Sequence, residues 1–195
     1  MPGGKGQRRQ PSTIQEQFGL RVIGVNERRR ILLSQEIPLM TIEPLVERRF
    51  DDFVHLIEAL ADYEHLPRPD TVAIARLRAD AFDSRRRFEA ALAIDDAGAA
   101  VGYAIWFETY SSFLAKPTLY LEDLFVIEGA RRSGAGALLF EHVRTIGDAR
   151  GCGRMDWQVL DWNTSARGFY ERRGGQWMQE WLLYRITYPE GPVDR

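Results

Sequence analysis

The chain has 195 residues, 45% hydrophobic and 11% aromatic, which suits one folded domain with its own core and excludes a disordered polymer. A formal net charge of −2 leaves no basic footprint for nucleic acid, and one cysteine, Cys152, makes neither a disulfide framework nor a zinc spacing. No apolar run reaches the roughly twenty residues of a membrane span and the N-terminus has no apolar signal region, so a cytoplasmic protein with no membrane partner is expected.

The charge is uneven. Residues 1–41 hold seven basic and three acidic residues, which leaves the rest of the chain acidic and compatible with a cationic substrate. Residues 1–40 read as an N-terminal extension. Met1–Ser12 is rich in Gly, Arg and Gln and is expected to be disordered. Phe18–Val25 and Ile31–Met40 can pair as a hairpin across Asn26–Arg29. A partner-binding arm, an added sheet edge and an overlong reading frame all remain open for this stretch.

Residues 41–188 form the expected domain, with 189–195 as a tail. Thr41–Glu47 reads as a strand. Phe50–Tyr63 places Phe53, Val54, Leu56, Ile57, Leu60 and Ala61 at helical spacing, with Asp51 and Asp52 suited to the first turn. His55 reads as a solvated helix residue. Leu66–Pro69 breaks the chain, and Thr71–Phe82 is a second helix capped by Asp70 or Thr71. Phe88–Ile94 and Ala100–Tyr110 are strands joined by the turn Asp95–Gly98, followed by the strand Thr118–Ile127, all antiparallel.

A glycine-led helix, Gly134–Arg150, ends at Gly151. With Met155–Leu160 it makes a crossover, so the strands on either side of it are parallel neighbours. Ser165–Arg173 is a short helix stopped by Gly174 and Gly175, and Trp177–Thr187 closes the sheet. The fold class is therefore α/β: a central mixed sheet flanked by helices.

Two features carry chemistry. Glu122 and Asp123 interrupt an otherwise apolar strand, and a carboxylate there costs several kcal/mol unless a cleft solvates or pairs it. Arg131-Arg132-Ser133-Gly134-Ala135-Gly136 precedes the helix. It can be a tight turn, or a loop whose free N–H groups and helix dipole hold an anion with two guanidinium groups beside it. Neither the P-loop nor the dinucleotide fingerprint fits.

Arg131-x-x-Gly134-x-Gly136 after an apolar strand resembles the acetyl-CoA pyrophosphate loop of the GNAT N-acetyltransferases. Tyr120-Leu-Glu-Asp-Leu-Phe-Val126, Leu160-Asp-Trp-Asn163 and Phe169-Tyr170-Glu-Arg-Arg-Gly174 resemble the spermidine/spermine and thialysine acetyltransferase branch. The resemblance runs from about Thr41 to Tyr188. It implies the GNAT acyl-CoA N-acyltransferase fold, with acetyl-CoA as co-substrate and no metal.

By that resemblance, backbone groups of Leu124, Phe125 and Val126 pair with the pantetheine arm where two parallel strands splay. Arg131, Arg132, Gly134, Ala135, Gly136 and Ala137 hold the pyrophosphate, and Asn163 reaches CoA from the other side while also suiting a helix N-cap. Tyr170 becomes the general acid for the leaving thiolate. Glu122 is the amine-side carboxylate, Asp123 on the opposite strand face having a structural partner. Tyr63, Glu64 and Glu180 join Glu122 as substrate contacts.

The polyamine branch carries Asp-Pro-Trp where this chain has Ser111-Ser112-Phe113, so a small diamine or lysine-like (thialysine-type) amine is expected over spermine. Relatives of this kind are commonly homodimers. A protein or peptide N-acetyltransferase and a non-catalytic acyl-CoA-binding protein are the competing readings.

Overall fold

The computed structural model describes residues 40–188. The hairpin read across Phe18–Met40 falls outside them except for Met40, as does the tail after Tyr188.

A five-stranded sheet in the order β1-β2-β3-β4-β5 organises the domain. Its strands are β1 (Thr41–Pro44), β2 (Glu89–Ile94), β3 (Ala100–Ser111), β4 (Lys116–Val126) and β5 (Arg154–Trp157). The first four run antiparallel to their neighbours, while β4 and β5 are parallel, joined through the helix α3 (Ala135–Ala149). Two helices precede β2: α1 (Phe50–Tyr63) and α2 (Thr71–Phe82), and α4 (Thr164–Glu171) follows β5.

β2 is apolar at nearly every position because both its faces are covered, and each face has its own core. Ala91, Ala93, Ala104, Trp106, Leu119 and Leu121 meet Leu139, Phe140 and Val143 of α3 and Tyr170 of α4. Leu92, Ile94, Tyr103, Ile105 and Phe125 meet Phe50, Phe53, Val54 and Leu56 of α1. Phe53 stands edge-on to Tyr103, ring centroids 5.3 Å apart.

Local chemistry sets the element ends. Asp70 accepts the Ala73 N–H at 2.7 Å and so caps α2. Gly98, at φ 79°, closes the β2–β3 turn, its N–H donating to the Asp95 carbonyl at 3.0 Å. Beyond α3, the Arg150 guanidinium grips Glu89 at 2.6 and 2.8 Å and Glu108 at 3.0 Å, tying the helix end to β2 and β3.

Two local outcomes differ from the expectations. The β3–β4 register slips between Ile105, opposite Asp123, and Trp106, opposite Leu121, which leaves Glu122 as a bulge residue. An extra residue in one strand reverses the alternation beyond it. Leu119 and Leu121 therefore face α3, whereas Phe125 faces α1. The second difference is the closing strand over Trp177–Thr187, which does not form: residues 175–188 hold no helix or strand. Strand preference expresses fit to a pleated, half-buried surface, and these side chains lie mostly in solvent.

Candidate active site

The β4–β5 ladder ends at Leu121 opposite Trp157, although β4 continues to Val126. The β5 side of Glu122–Val126 thus has no strand beside it. Leu124, Phe125 and Val126 remain hydrogen-bonded to β3 across the other edge, opposite Ala104, Tyr103 and Gly102. This is the splay expected for a pantetheine-like arm.

At the end of this opening lies the turn into α3. Arg132 and Gly134 are left-handed, at φ 68° and 97°. Left-handed residues at such a turn swing successive N–H groups into a concave, anion-accepting nest. The Ala135 N–H donates to Ser133 Oγ at 3.4 Å, and the Leu138 N–H begins the helical ladder on the Gly134 carbonyl. The first-turn N–H groups of Gly136 and Ala137 lie between them, outside that ladder. Arg132 is exposed beside the turn. Arg131 turns back instead: its Nε donates to the Val126 carbonyl at 3.2 Å, and its guanidinium lies 4.6 Å from the Tyr63 ring centroid. It links this turn to the far side of the opening.

That far side is the C-terminal end of α1. Tyr63 packs against Phe125 at 6.4 Å and Trp162 at 5.7 Å, which sets two aromatic walls over the middle of β4. Glu64, at the helix terminus, has its carboxyl pushed above the ordinary range by burial. Asp123 accepts the Tyr103 hydroxyl at 3.1 Å. Burial first, and then the charges of Glu122 and Glu64, raise the Asp123 carboxyl to about 6 against the pull of that hydrogen bond. Three carboxylates thus share one field, with Asp123 the most desolvated.

Opposite them, α4 presents Tyr170. Its ring is clamped by Trp157 at 5.1 Å, Phe169 at 5.3 Å and Phe140 at 5.9 Å. The residue is 9% exposed, yet its hydroxyl makes no hydrogen bond among the described residues. Burial first, and then the Asp123 charge, push this phenol up to about 12, so it stays protonated at neutral pH. Asn163 caps α4, its Oδ1 accepting the Ala166 N–H at 3.1 Å.

The expected site residues therefore divide. Tyr63, Glu64, Asp123 and Tyr170 converge on the splay. Glu122 sits at its exposed margin as the bulge residue, where its charge still reaches Asp123, Tyr103 and Tyr120. Asp123 has the structural partner expected of it, the Tyr103 hydroxyl, and beyond the bulge it also lies in the field of Glu64. Trp162 is an added wall, its signal being its place within Leu160–Asn163. Glu180 is exposed on the C-terminal segment and makes no hydrogen bond or ion pair with the other site residues among the described residues. His55 is solvated, as its helix position suggests. The Cys152 thiol is pushed up by burial, which makes it a poor nucleophile.

The sequence profile of the Acetyltransferase (GNAT) family matches residues 52–175. An L-ornithine N5-acetyltransferase of Arabidopsis thaliana is 45% identical over 86 residues, 44% of this chain; the match spans 38% of that relative's length. A thialysine N-epsilon-acetyltransferase of Mus musculus is 29% identical over 145 residues, 69% of this chain and 85% of the relative. A solved aminoglycoside N-acetyltransferase in complex with CoA superimposes with a TM-score of 0.61 at 20% identity, over 83% of this chain and all of that one. A probable acetyltransferase superimposes at 0.68 and 20% identity, over 77% of this chain and 99% of the other. At these identities the structural likeness is one of fold.

Proposed function

The chain belongs to the GNAT acetyltransferase family and is an acetyl-CoA-dependent N-acetyltransferase, and from that premise we propose that its acceptor is a primary amine of a small diamine or lysine-like molecule. The observation carrying the proposal is that half-buried Asp123 and partly desolvated Glu64 share one field beneath the aromatic walls of Tyr63 and Trp162. Such a cleft suits an alkylammonium with a methylene chain and is hostile to an anionic acceptor. The named activities of the ornithine and thialysine relatives support the same class.

The acetyl donor lies along the free edge of Leu124–Val126. Its diphosphate rests on the turn of Arg132, Gly134, Ala135, Gly136 and Ala137, with Arg131 beside it and Asn163 across from it. The acceptor arrives protonated, since alkylamines have a pKa near 10. Glu122 meets the cation at the mouth, and Asp123, with Glu64 near, accepts its proton. The neutral nitrogen then attacks the thioester carbonyl: the N–C bond forms, the C–S bond breaks, and Tyr170 donates its proton to the departing sulfur. The products are the acetylated amine and CoA thiol. We also read the enzyme as a homodimer, which the exposed apolar C-terminal segment supports.

A thiol-release assay over an amine panel tests the acceptor. Ornithine, thialysine and short diamines should turn over with kcat/KM at least about tenfold above peptide N-termini and lysyl peptides. Turnover of peptides alone would move the chain to the protein-acetylating reading.

The anion turn has its own test. No atom lies within 4 Å of a Cβ built on Gly134, so Gly134→Ala loads only the backbone, by about 1–2 kcal/mol at this left-handed angle. Calorimetry should show acetyl-CoA binding weakened about tenfold. An unchanged Kd would remove this turn from cofactor binding.

A further inference from the structure

The amine-side carboxylate rests on a residue one strand further from the opening. Tyr103 lies on β3 and is fully buried. Its ring is held on the α1 side of the sheet by Phe53, edge-on at 5.3 Å, and by Phe125 at 6.3 Å. Across the β3–β4 ladder Tyr103 stands opposite Phe125, and Asp123 stands opposite Ile105. The two are therefore diagonal neighbours, within reach of a long side chain. The Tyr103 hydroxyl donates to Asp123 Oδ2 at 3.1 Å, the one side-chain hydrogen bond that Asp123 makes among the described residues. The bond depends on the bulge, which sets Asp123 rather than Glu122 opposite Ile105.

The surroundings of Asp123 give that bond its weight. Burial opposes the charged form, and so do two acidic neighbours, Glu122 beside it on β4 and Glu64 at the end of α1. Tyr170 of α4 meets its field as a protonated phenol. Of the groups acting on the Asp123 carboxyl, the Tyr103 hydroxyl alone favours the carboxylate. Nor does Tyr103 lose its proton to the site. Burial, and then the Asp123 charge, hold its phenol well above the ordinary value, so it is a donor throughout the neutral range. With Oδ2 engaged, Oδ1 is the oxygen left for the acceptor.

We propose that Tyr103 is a positioning residue for acetyl transfer: buried on β3 and touching neither substrate, its hydroxyl fixes the Asp123 carboxylate and keeps it charged for the incoming ammonium. The inference rests on the reading of Asp123 as proton acceptor and names the group that makes a crowded carboxylate competent. Tyr103 acts through Asp123, so its removal should move the ionisation of that carboxyl and not the binding of CoA.

The test uses the full-length enzyme and Tyr103→Phe, which keeps the ring that Phe53 and Phe125 pack against. Carbon-13 titration of the Asp123 carboxyl, assigned by its absence in Asp123→Asn, needs no turnover. Its midpoint should rise by about one pH unit on loss of the donor. The acid limb of kcat/KM for the fastest amine among ornithine, thialysine and short diamines should move with it. The variant then falls about eightfold behind wild type at pH 5.5 but stays within about threefold at pH 8.5. Calorimetry should give a CoA Kd within about threefold of wild type. Tyr103→Phe combined with Asp123→Asn should lose no more turnover than Asp123→Asn alone. A rate loss equal at every pH, a carboxyl midpoint that stays in place, or loss of CoA binding would make Tyr103 a packing residue and overturn the inference while Asp123 keeps its role. An acid limb that survives in Asp123→Asn would remove Asp123 from proton transfer, and the inference with it, wherever the carboxyl midpoint lies.

Discussion

Tyr170→Phe is expected to lower kcat by about 10²–10³-fold, the range for loss of a positioned proton donor, with KM for acetyl-CoA roughly unchanged. The substitution removes one oxygen from a ring that Phe140, Trp157 and Phe169 already clamp. Because the hydroxyl has no hydrogen-bond partner among the described residues, its loss leaves no orphaned group, and the melting temperature should hold or rise slightly. A structural tyrosine and a proton donor thus separate cleanly. The phenol, held up at about 12, contributes no pH limb below pH 10, so the rate loss should be the same at pH 7 and pH 9. Wild-type turnover in this variant would remove Tyr170 from the chemistry.

Asp123→Asn carries the second large effect. The Asp123 carboxyl titrates at about 6, so wild-type kcat/KM for the amine should climb as pH rises through 6, and that limb should vanish in the variant. At pH 7.5 a loss of about 10²-fold is expected from removal of the proton acceptor. Stability moves the other way. The folded pKa is raised above the ordinary carboxylate value, so this group's contribution is fully present below about pH 4 and is lost as pH rises through 6. Denaturant titration should therefore show the asparagine variant at least as stable as wild type at pH 8. Asparagine can still accept the Tyr103 hydroxyl, which keeps that buried donor satisfied. Glu122→Gln, at the exposed bulge, should cost only a few-fold in amine KM. The reverse ranking of the two variants would return the proton-accepting role to Glu122.

Much of the domain was legible because its signals are local and redundant. Phe50–Tyr63 has a helical apolar stripe and Thr71–Phe82 an aspartate cap, and both helices form at the residues expected. The crossover from β4 through α3 to β5 follows from a glycine-led helix between two apolar runs. What was not legible is non-local. The bulge at Glu122 depends on how β4 registers against β3, and nothing in the string Tyr120–Val126 announces a slip of one residue. That slip decides which of the adjacent carboxylates meets Tyr103. Trp177–Thr187 has strand composition, but whether a strand forms depends on an edge to receive it. The Tyr63–Trp162 contact joins residues far apart in sequence, and only the closed sheet brings them together.

The central claim is that this splay divides labour: turn and free edge hold the acetyl donor, while Asp123 and Tyr170 move protons on either side of the transfer. Calorimetric titration of CoA into wild type, Asp123→Asn and Tyr170→Phe tests it most directly. One site per chain with Kd values within about threefold across all three proteins, while the two variants have lost turnover, is the result the claim predicts. A fall in CoA affinity that matches the loss of rate would contradict it, because the two side chains would then be holding the donor rather than moving protons.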